Sequence, residues 1–168
     1  MAINFNTADL EGAAFDGAQC TACNFSGTKL SGATFSNASM LATNFEGFTG
    51  TLADKELRSL LSGCVSCNFS GVDLARRDLS QTTLISVDLS RANLANTRFD
   101  GAVLCWEILA QSRRQTQCDR MANAQTSGAS FAGVLACDDP LKRRGCARVD
   151  ARTLREKVGS SLQGAILP

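Results

Sequence analysis

Cysteine is the residue type with most chemical reach in this chain, and there are eight: Cys20, Cys23, Cys64, Cys67, Cys105, Cys118, Cys137 and Cys146. An even count in a chain of 168 residues invites a disulfide framework. Two pairs, Cys20/Cys23 and Cys64/Cys67, have the Cys-x-x-Cys spacing that also serves zinc ligation and thiol–disulfide exchange. Each therefore carries three readings: core thiols (cysteine is a small hydrophobe), a local disulfide, or a metal or redox centre. Other catalytic equipment is sparse. The chain has no His, which removes histidine-dependent base catalysis and histidine metal sites. It contains no G-x-x-x-x-G-K-[ST], no G-x-G-x-x-G and no G-x-S-x-G. The expectation is no enzyme, no catalytic, cofactor-binding or metal-binding residues, and no cofactor.

The elements that position the cysteines come from a second pattern. Every fifth residue from Phe5 to Phe45 is bulky and apolar: Phe5, Leu10, Phe15, Cys20, Phe25, Leu30, Phe35, Met40, Phe45. The series resumes as Phe69, Leu74, Leu79, Leu84, Leu89, Leu94, Phe99 and Leu104. Two residues before each sits a mostly small one, as at Ala8, Ala13, Ala33, Cys67, Ala92 and Ala102. Five is neither the helix period of 3.6 nor the strand period of 2, so the chain must turn a corner every five residues.

Ala8-Asp-Leu-Glu-Gly12, Ala33-Thr-Phe-Ser-Asn37 and Ala92-Asn-Leu-Ala-Asn96 resemble the A-(D/N)-L-x-x unit of pentapeptide-repeat proteins. The resemblance covers residues 3–47 and 67–106. It implies an all-β solenoid: a right-handed, quadrilateral (four-sided) parallel β-helix with four pentapeptides per coil, the bulky and small residues pointing in. Coils stack at about the strand spacing of 4.7–4.9 Å, so residues twenty apart lie over one another. Phe5, Phe25 and Phe45 then share one column and Phe15 and Phe35 the opposite one. Leu10 and Leu30 share a third, Cys20 and Met40 the fourth. Phe69, Leu79 and Phe99 extend the core ladder.

Residues 48–63 interrupt the count. Thr51-Leu-Ala-Asp54 reads as a capping box, and Leu57, Leu60 and Leu61 form a helical stripe stopped by Gly63. These residues predict a short helix over about 52–62, outside the coil. Cys20-Thr-Ala-Cys-Asn-Phe-Ser-Gly27 recurs as Cys64-Val-Ser-Cys-Asn-Phe-Ser-Gly71, an offset of two coils plus four residues, so the helix replaces part of one coil. The expected organisation is one domain, 1–168, with repeats over 3–47 and 64–106, the helical insertion at 48–63 and an irregular disulfide-loop and capping region over 107–168. Arg77 falls at a position that should be small and inward. Burying it unpaired is costly, so a bulge or a pairing with Asp73 or Asp78 is expected.

In the stacked-coil picture the two Cys-x-x-Cys pairs lie two coils apart, roughly 9–10 Å, which argues against one four-Cys zinc site. The tail holds another duplication. Phe99-Asp-Gly-Ala-Val-Leu-Cys105 resembles Phe131-Ala-Gly-Val-Leu-Ala-Cys137, each followed by Arg-Arg, a Cys, and an Arg two residues on. Two cysteine-bounded loops follow, with Cys105–Cys118 and Cys137–Cys146 as disulfides. Closing loops of this length is worth roughly 2–3 kcal/mol. Trp106 reads as a cap over the solenoid end, and Thr153-Leu-Arg-Glu156 as the start of a capping helix over about 153–162. Leu162-Gln-Gly-Ala-Ile-Leu167 reads as renewed repeat text.

Charge is unevenly spread: residues 1–100 carry a net −3 and residues 101–168 a net +4. Asp9, Asp16, Asp73, Asp78 and Asp88 recur at outward or corner positions, where Asp and Asn suit turns. Arg113, Arg114, Arg143 and Arg144 form a candidate partner patch. There is no run of eighteen apolar residues, so no membrane span is expected, and the opening segment has no charged-then-apolar signal pattern. The expected function is a non-enzymatic structural and protein–protein interaction module presenting the outer faces of a rigid β-helix. The partner protein is unidentified, no direct nucleic-acid binding is expected, and the state is monomer or end-to-end dimer. The resemblance implies one alternative, a DNA-mimic-like topoisomerase (gyrase) binding protein. A second alternative is a thiol–disulfide redox protein using Cys20/Cys23 or Cys64/Cys67. Paired cysteines would place the chain in an oxidising compartment: periplasmic, lumenal or secreted.

Overall fold

The computed structural model describes residues 2–110, 113–159 and 162–168. Its backbone is a stack of coils joined by short parallel ladders, a β-helix-type arrangement. The first ladder runs Asn4, Asn24, Asn44, Asn68, Asp88, Arg120. The second joins Asp9, Lys29 and Thr49, then Asp73, Asn93 and Gln125. The third joins Ala14 and Thr34, then Asp78, Arg98, Ser130 and Ile166. The fourth contains the named strands β1 (Gln19–Thr21), β2 (Ser39–Leu41) and β3 (Cys64–Val65), all parallel, and continues through Ile85.

Each corner follows from local chemistry. The bulky residue's carbonyl accepts a hydrogen bond from the N–H three residues on, as Phe5 does from Ala8 at 2.8 Å. The residue before that acceptance is left-handed, with φ of +66° at Gly12 and +59° at Thr7. Type II turns demand this conformation at their third residue, which is why glycine recurs there. Asn or Asp at the ladder position accepts the N–H two residues on: Asn24 from Ser26 at 3.0 Å, Asp88 from Ser90 at 2.9 Å. The core columns form as the spacing requires. Phe5–Phe25, Phe25–Phe45 and Phe45–Phe69 stack with centroids 4.7, 4.9 and 4.9 Å apart, and Phe15–Phe35 at 5.1 Å. Such pairs add about 0.5–1.5 kcal/mol each beyond burial. Leu79 and Phe99 are fully buried, while Phe5 and Phe15, in the first coil, are only half-buried.

The inserted helix α1 is Asp54–Ser62, starting two residues later than the sequence pattern indicates. The Thr51 capping box does not form: the N-cap is Ala53, with no side-chain cap. Nor does the helix lie outside the coil. Leu57, Leu60 and Leu61 are buried in the common core, so α1 is built into the wall. It takes the place of a rung in the third ladder, between Thr34 and Asp78. That leaves backbone groups above and below without strand partners, and helix side chains replace them. Glu56 Oε2 accepts from the Phe35 N–H at 3.0 Å, the Ser59 hydroxyl donates to the Phe35 carbonyl at 3.1 Å, and Arg58 Nη1 donates to the Asp78 carbonyl at 2.8 Å. Arg77 is half-buried; its partner is neither Asp73 nor Asp78 but Asp54 of α1, with Nε 3.0 Å from Oδ1, and its Nη2 donates to the Leu52 carbonyl.

The stack does not stop at residue 106. Strands β4 (Val103–Ala110) and β5 (Arg113–Cys118) form an antiparallel hairpin, after which the ladders resume with Arg120, Gln125 and Ser130. The register shift from Asp88 to Arg120 is 32 residues, one coil plus a 12-residue excursion. Phe131 accordingly stacks on Phe99 at 5.2 Å. Trp106 is therefore not an end cap: it is half-buried within the sheet, opposite Gln117 of β5 and Cys137 of β6 (Leu135–Cys137). Strand β7 (Ala147–Arg148) pairs with β6. The closing helix α2 is Ala151–Val158, and its N-cap is Asp150, which accepts from the Thr153 N–H at 2.8 Å; Thr153 is inside the helix rather than capping it. Of the segment expected to be helical, Ser160 and Ser161 lie outside the described residues. Leu154 and Val158 bury the end of the core, and Ile166 adds one further rung to the third ladder.

Phe25→Ala should cost about 3–5 kcal/mol, because it empties a site between two stacked rings. Thr21→Ala, on an outer face, should cost under about 0.5 kcal/mol. Comparable losses in thermal melts of the two variants would contradict the inward–outward division.

Candidate functional site

The cysteines fall into four disulfide pairs: Cys20–Cys23, Cys64–Cys67, Cys105–Cys118 and Cys137–Cys146, with Cα–Cα separations of 5.8, 5.6, 4.0 and 4.0 Å. The first two sit behind the fourth ladder. Each clamps the corner that leaves it, where Ala22 and Ser66 hold φ of +55° and +58° without being glycine. The third closes the foot of the β4–β5 hairpin, where Cys105 and Cys118 are cross-strand partners. The fourth closes the loop over 138–145. Cys23, Cys64 and Cys67 are each 1 % exposed and Cys105 and Cys137 fully buried, so a reductant or partner thiol has little access to them. No cluster of three or more His, Cys, Asp or Glu able to hold a metal is found among the described residues.

The four arginines of the candidate patch do not act as one surface. Arg114 is paired with Asp138 at 2.8 Å. Arg143 turns back onto the stack: Nη1 donates to the Gln81 carbonyl at 2.9 Å and Nη2 to the Gly101 carbonyl at 3.0 Å. Its work is to pin the disulfide loop against two corners. Arg113 starts β5, and Arg144 meets Asp139 in a backbone bridge; both are exposed.

The outward carboxylates are interleaved with cations along the ladders. Asp9 meets Lys29 at 3.3 Å, Glu46 meets Arg91 at 3.0 Å, Asp88 meets Arg120 at 3.7 Å, and Arg98 lies 3.9 Å from Asp78 and 3.0 Å from Asp100. Ser80, whose N–H donates to Asp78 Oδ1 at 3.0 Å, holds the Asp78 carboxyl below its usual value; the Glu11 N–H, then Lys29, does so for Asp9. Asp16 accepts from the Ser36 N–H at 2.7 Å and Asp73 from the Ala75 N–H at 3.0 Å. Asp9, Asp16, Asp73, Asp78 and Asp88 are thus all structural acceptors on a solvated wall.

One acid escaped the sequence reading. Asp119 occupies an inward, normally small position above Val87 and is fully buried. One oxygen accepts the Val87 N–H at 2.7 Å; the other has no partner. Burial pushes its carboxyl well above the ordinary range, against the opposing pull of that bond. Counting back in fives from Phe131 would have found it: Thr126 and Met121 are the bulky positions, and Asp119 stands two before Met121. The polar Thr126 hides the beat.

The pentapeptide-repeat family model matches residues 3–40 and 67–104, in eight copies. No curated protein matches the chain. Among solved structures it is similar to HetL, a pentapeptide repeat protein involved in heterocyst differentiation regulation in the cyanobacterium Nostoc sp. strain PCC 7120, at 16% identity over 97% of this chain and 73% of that one, with a TM-score of 0.29. It is also similar to a pentapeptide repeat protein from the Arabidopsis thaliana thylakoid lumen, at 23% identity over 78% and 70% of the two chains, TM-score 0.26. A third is full-length QnrB1, a plasmid-mediated fluoroquinolone resistance protein, at 17% identity over 98% and 92%, TM-score 0.29.

Two measurements test this geometry. Non-reducing peptide mass mapping should return the four disulfides named above, and reduction should lower the melting temperature; eight alkylatable thiols in the native protein would contradict it. Asp119 keeps its proton in the fold while the unfolded chain gives one up, so it lowers stability as pH rises above the ordinary carboxylate range. Asp119→Asn should therefore match the parent in strongly acidic solution and exceed its stability at pH 7. A variant less stable than the parent at pH 7 would contradict the buried, protonated carboxyl.

Proposed function

From the pentapeptide repeats that build residues 3–40 and 67–104, we propose that this chain is a non-enzymatic protein-interaction module. It is a right-handed, four-sided, closed β-helix whose flat outer faces meet a partner protein. The division of labour between residues carries the reading. Inward columns are committed to the core, and the recurring chemistry of the wall, from Asx acceptors to ladder ion pairs, is spent on holding the stack. The remaining outward side chains have no such duty, and they are the groups a partner can read.

The disulfides support the same conclusion. Two of them stiffen the corners beside the fourth ladder and two pin excursions onto the stack. A surface fixed in advance loses little conformational freedom on binding. Closed, buried cysteines fit structural bracing better than exchange chemistry. They also favour residence in an oxidising compartment. A DNA-like face would need a continuous run of negative charge, and the alternation of Asp9 with Lys29 and of Asp88 with Arg120 breaks it. No helix among the described residues is long and apolar enough to cross a membrane.

The test is an affinity pull-down from the native host under non-reducing and reducing conditions. A specific protein should be retained by the oxidised chain and weakened by reduction. Retention of nothing by the oxidised chain would contradict the proposal.

A further inference from the structure

One of the four disulfides is placed unlike the rest. Seven of the eight cysteines are buried, and Cys146 alone is partly exposed. Its bond to Cys137 closes the loop over 138–145, of which Asp138 and residues 141–145 are exposed. A loop so open to water keeps its place through few contacts. Asp139 and Arg144 exchange backbone hydrogen bonds at 3.2 and 3.0 Å, and Asp138 pairs with Arg114. Arg143 reaches back to the stack, donating to the Gln81 and Gly101 carbonyls and, at 3.3 Å, to the Thr83 hydroxyl. It does so from φ of +49°, a conformation costly for a residue with a Cβ. Two further cations flank the exposed cysteine. Arg144 and Arg148 stand two residues to either side of Cys146, and both are exposed. Lys142 is engaged by Asp139 and Arg114 by Asp138, whereas Arg144 and Arg148 meet no carboxylate among the described residues.

We propose that Cys146 is a redox modification site: an external dithiol attacks its sulfur and opens Cys137–Cys146 ahead of the other three bonds, releasing the loop over 138–145 from the stack. Access decides which bond goes first, because exchange begins with a thiolate reaching a disulfide sulfur. The attacker is an anion, so the uncommitted guanidinium groups of Arg144 and Arg148 favour its approach. The thiolate bonds to Cys146 Sγ, the Cys137–Cys146 bond breaks, and Cys137 leaves as a thiolate and takes up a proton. The second thiol of the same dithiol then displaces Cys146 Sγ. The dithiol ends as a disulfide, having given up two electrons and two protons, and both cysteines end as thiols.

Cutting the bond that closes this short loop favours its open form by roughly a hundredfold in the chain-entropy model. Strands β6 and β7 keep their ladder, Leu135 with Arg148 and Ala136 with Ala147, so the change is confined to the loop. With the closure gone, Arg143 leaves the Gln81 and Gly101 carbonyls, and the two corners it covered open to water or to a partner. The site is independent of which protein the outer faces bind.

Limited reduction with trapping tests the site. The oxidised chain is exposed to dithiothreitol at neutral pH, portions are trapped with N-ethylmaleimide, and the labelled peptides are mapped over time. Cys137 and Cys146 should be labelled together, at a rate about tenfold or more above that of any other pair. Hydrogen exchange of the partly reduced chain should rise at the Asp139 and Arg144 N–H groups, while those of Phe25 and Leu30 stay protected. Arg144→Gln with Arg148→Gln should slow the opening about threefold at low salt, a difference that high salt removes. Another pair labelled first, all four labelled at one rate, or opening of Cys137–Cys146 with no gain of exchange in the loop would each overturn the proposal. An unchanged rate in the arginine variant would overturn the part given to Arg144 and Arg148.

Discussion

The molecule depends on one constraint: each coil must lay its backbone on the previous one in parallel register, because the N–H and C=O groups of a coil have no partners within it beyond its corners. The Phe5 N–H reaches the Asn24 carbonyl, the Phe25 N–H that of Asn44, and the Phe45 N–H that of Asn68, at 2.7 Å each. A strand spacing of about 4.8 Å then dictates what fits inside. Rings must lie nearly flat on one another, and the neighbouring inward residue must be small. The five-residue beat is the sequence trace of that geometry.

Insertions show how strict the constraint is. Where the coil is interrupted, backbone groups lose their usual partners, and they are expensive to leave buried and unpaired. At α1 the substitutes are side chains, with Glu56 and Ser59 serving Phe35 and Arg58 serving Asp78. Beyond the hairpin a carboxyl does the work, as Asp119 takes the Val87 N–H. Arg77 belongs to the same class: a cation in a small-residue position, tolerated because α1 brings Asp54 to it. The oddest residues in the repeat are thus those beside its interruptions. The hairpin and the loop over 138–145 are each closed by a disulfide, so excursions from the stack return to a defined place.

Much of the stack was legible in the residues because one side-chain period maps onto one backbone geometry. The columns of Phe5 and Phe15, the four-residue offset at α1 and the two cysteine-bounded loops of the tail all follow from counting, whereas counting left the state of Cys20/Cys23 and Cys64/Cys67 open. What resisted counting was non-local. The Thr51 capping box was outcompeted because α1 is positioned by the buried Leu57, Leu60 and Leu61 and by its ladder contacts, not by its first turn. Asp54 stands twenty-three residues before Arg77 and finds it only through the fold. Continuation past residue 106 was obscured because Thr126 breaks the apolar beat and twelve residues intervene. The arginines of the tail look like a patch in sequence, yet Arg114 and Arg143 spend their charge within the molecule.

Amide hydrogen exchange tests the central claim most directly. In this stack the N–H just after the bulky residue bonds to a side-chain oxygen at Asn6, Glu11, Ser26, Ser36 and Glu46, whereas its neighbours bond between coils or across corners. Exchange should therefore be fast at Asn6, Glu11, Ser26, Ser36 and Glu46, positions spaced in multiples of five, and slow between, with the Phe35 N–H protected by Glu56 rather than by a strand. A protection pattern with a period near 3.6, or uniform fast exchange, would contradict the stacked-coil account.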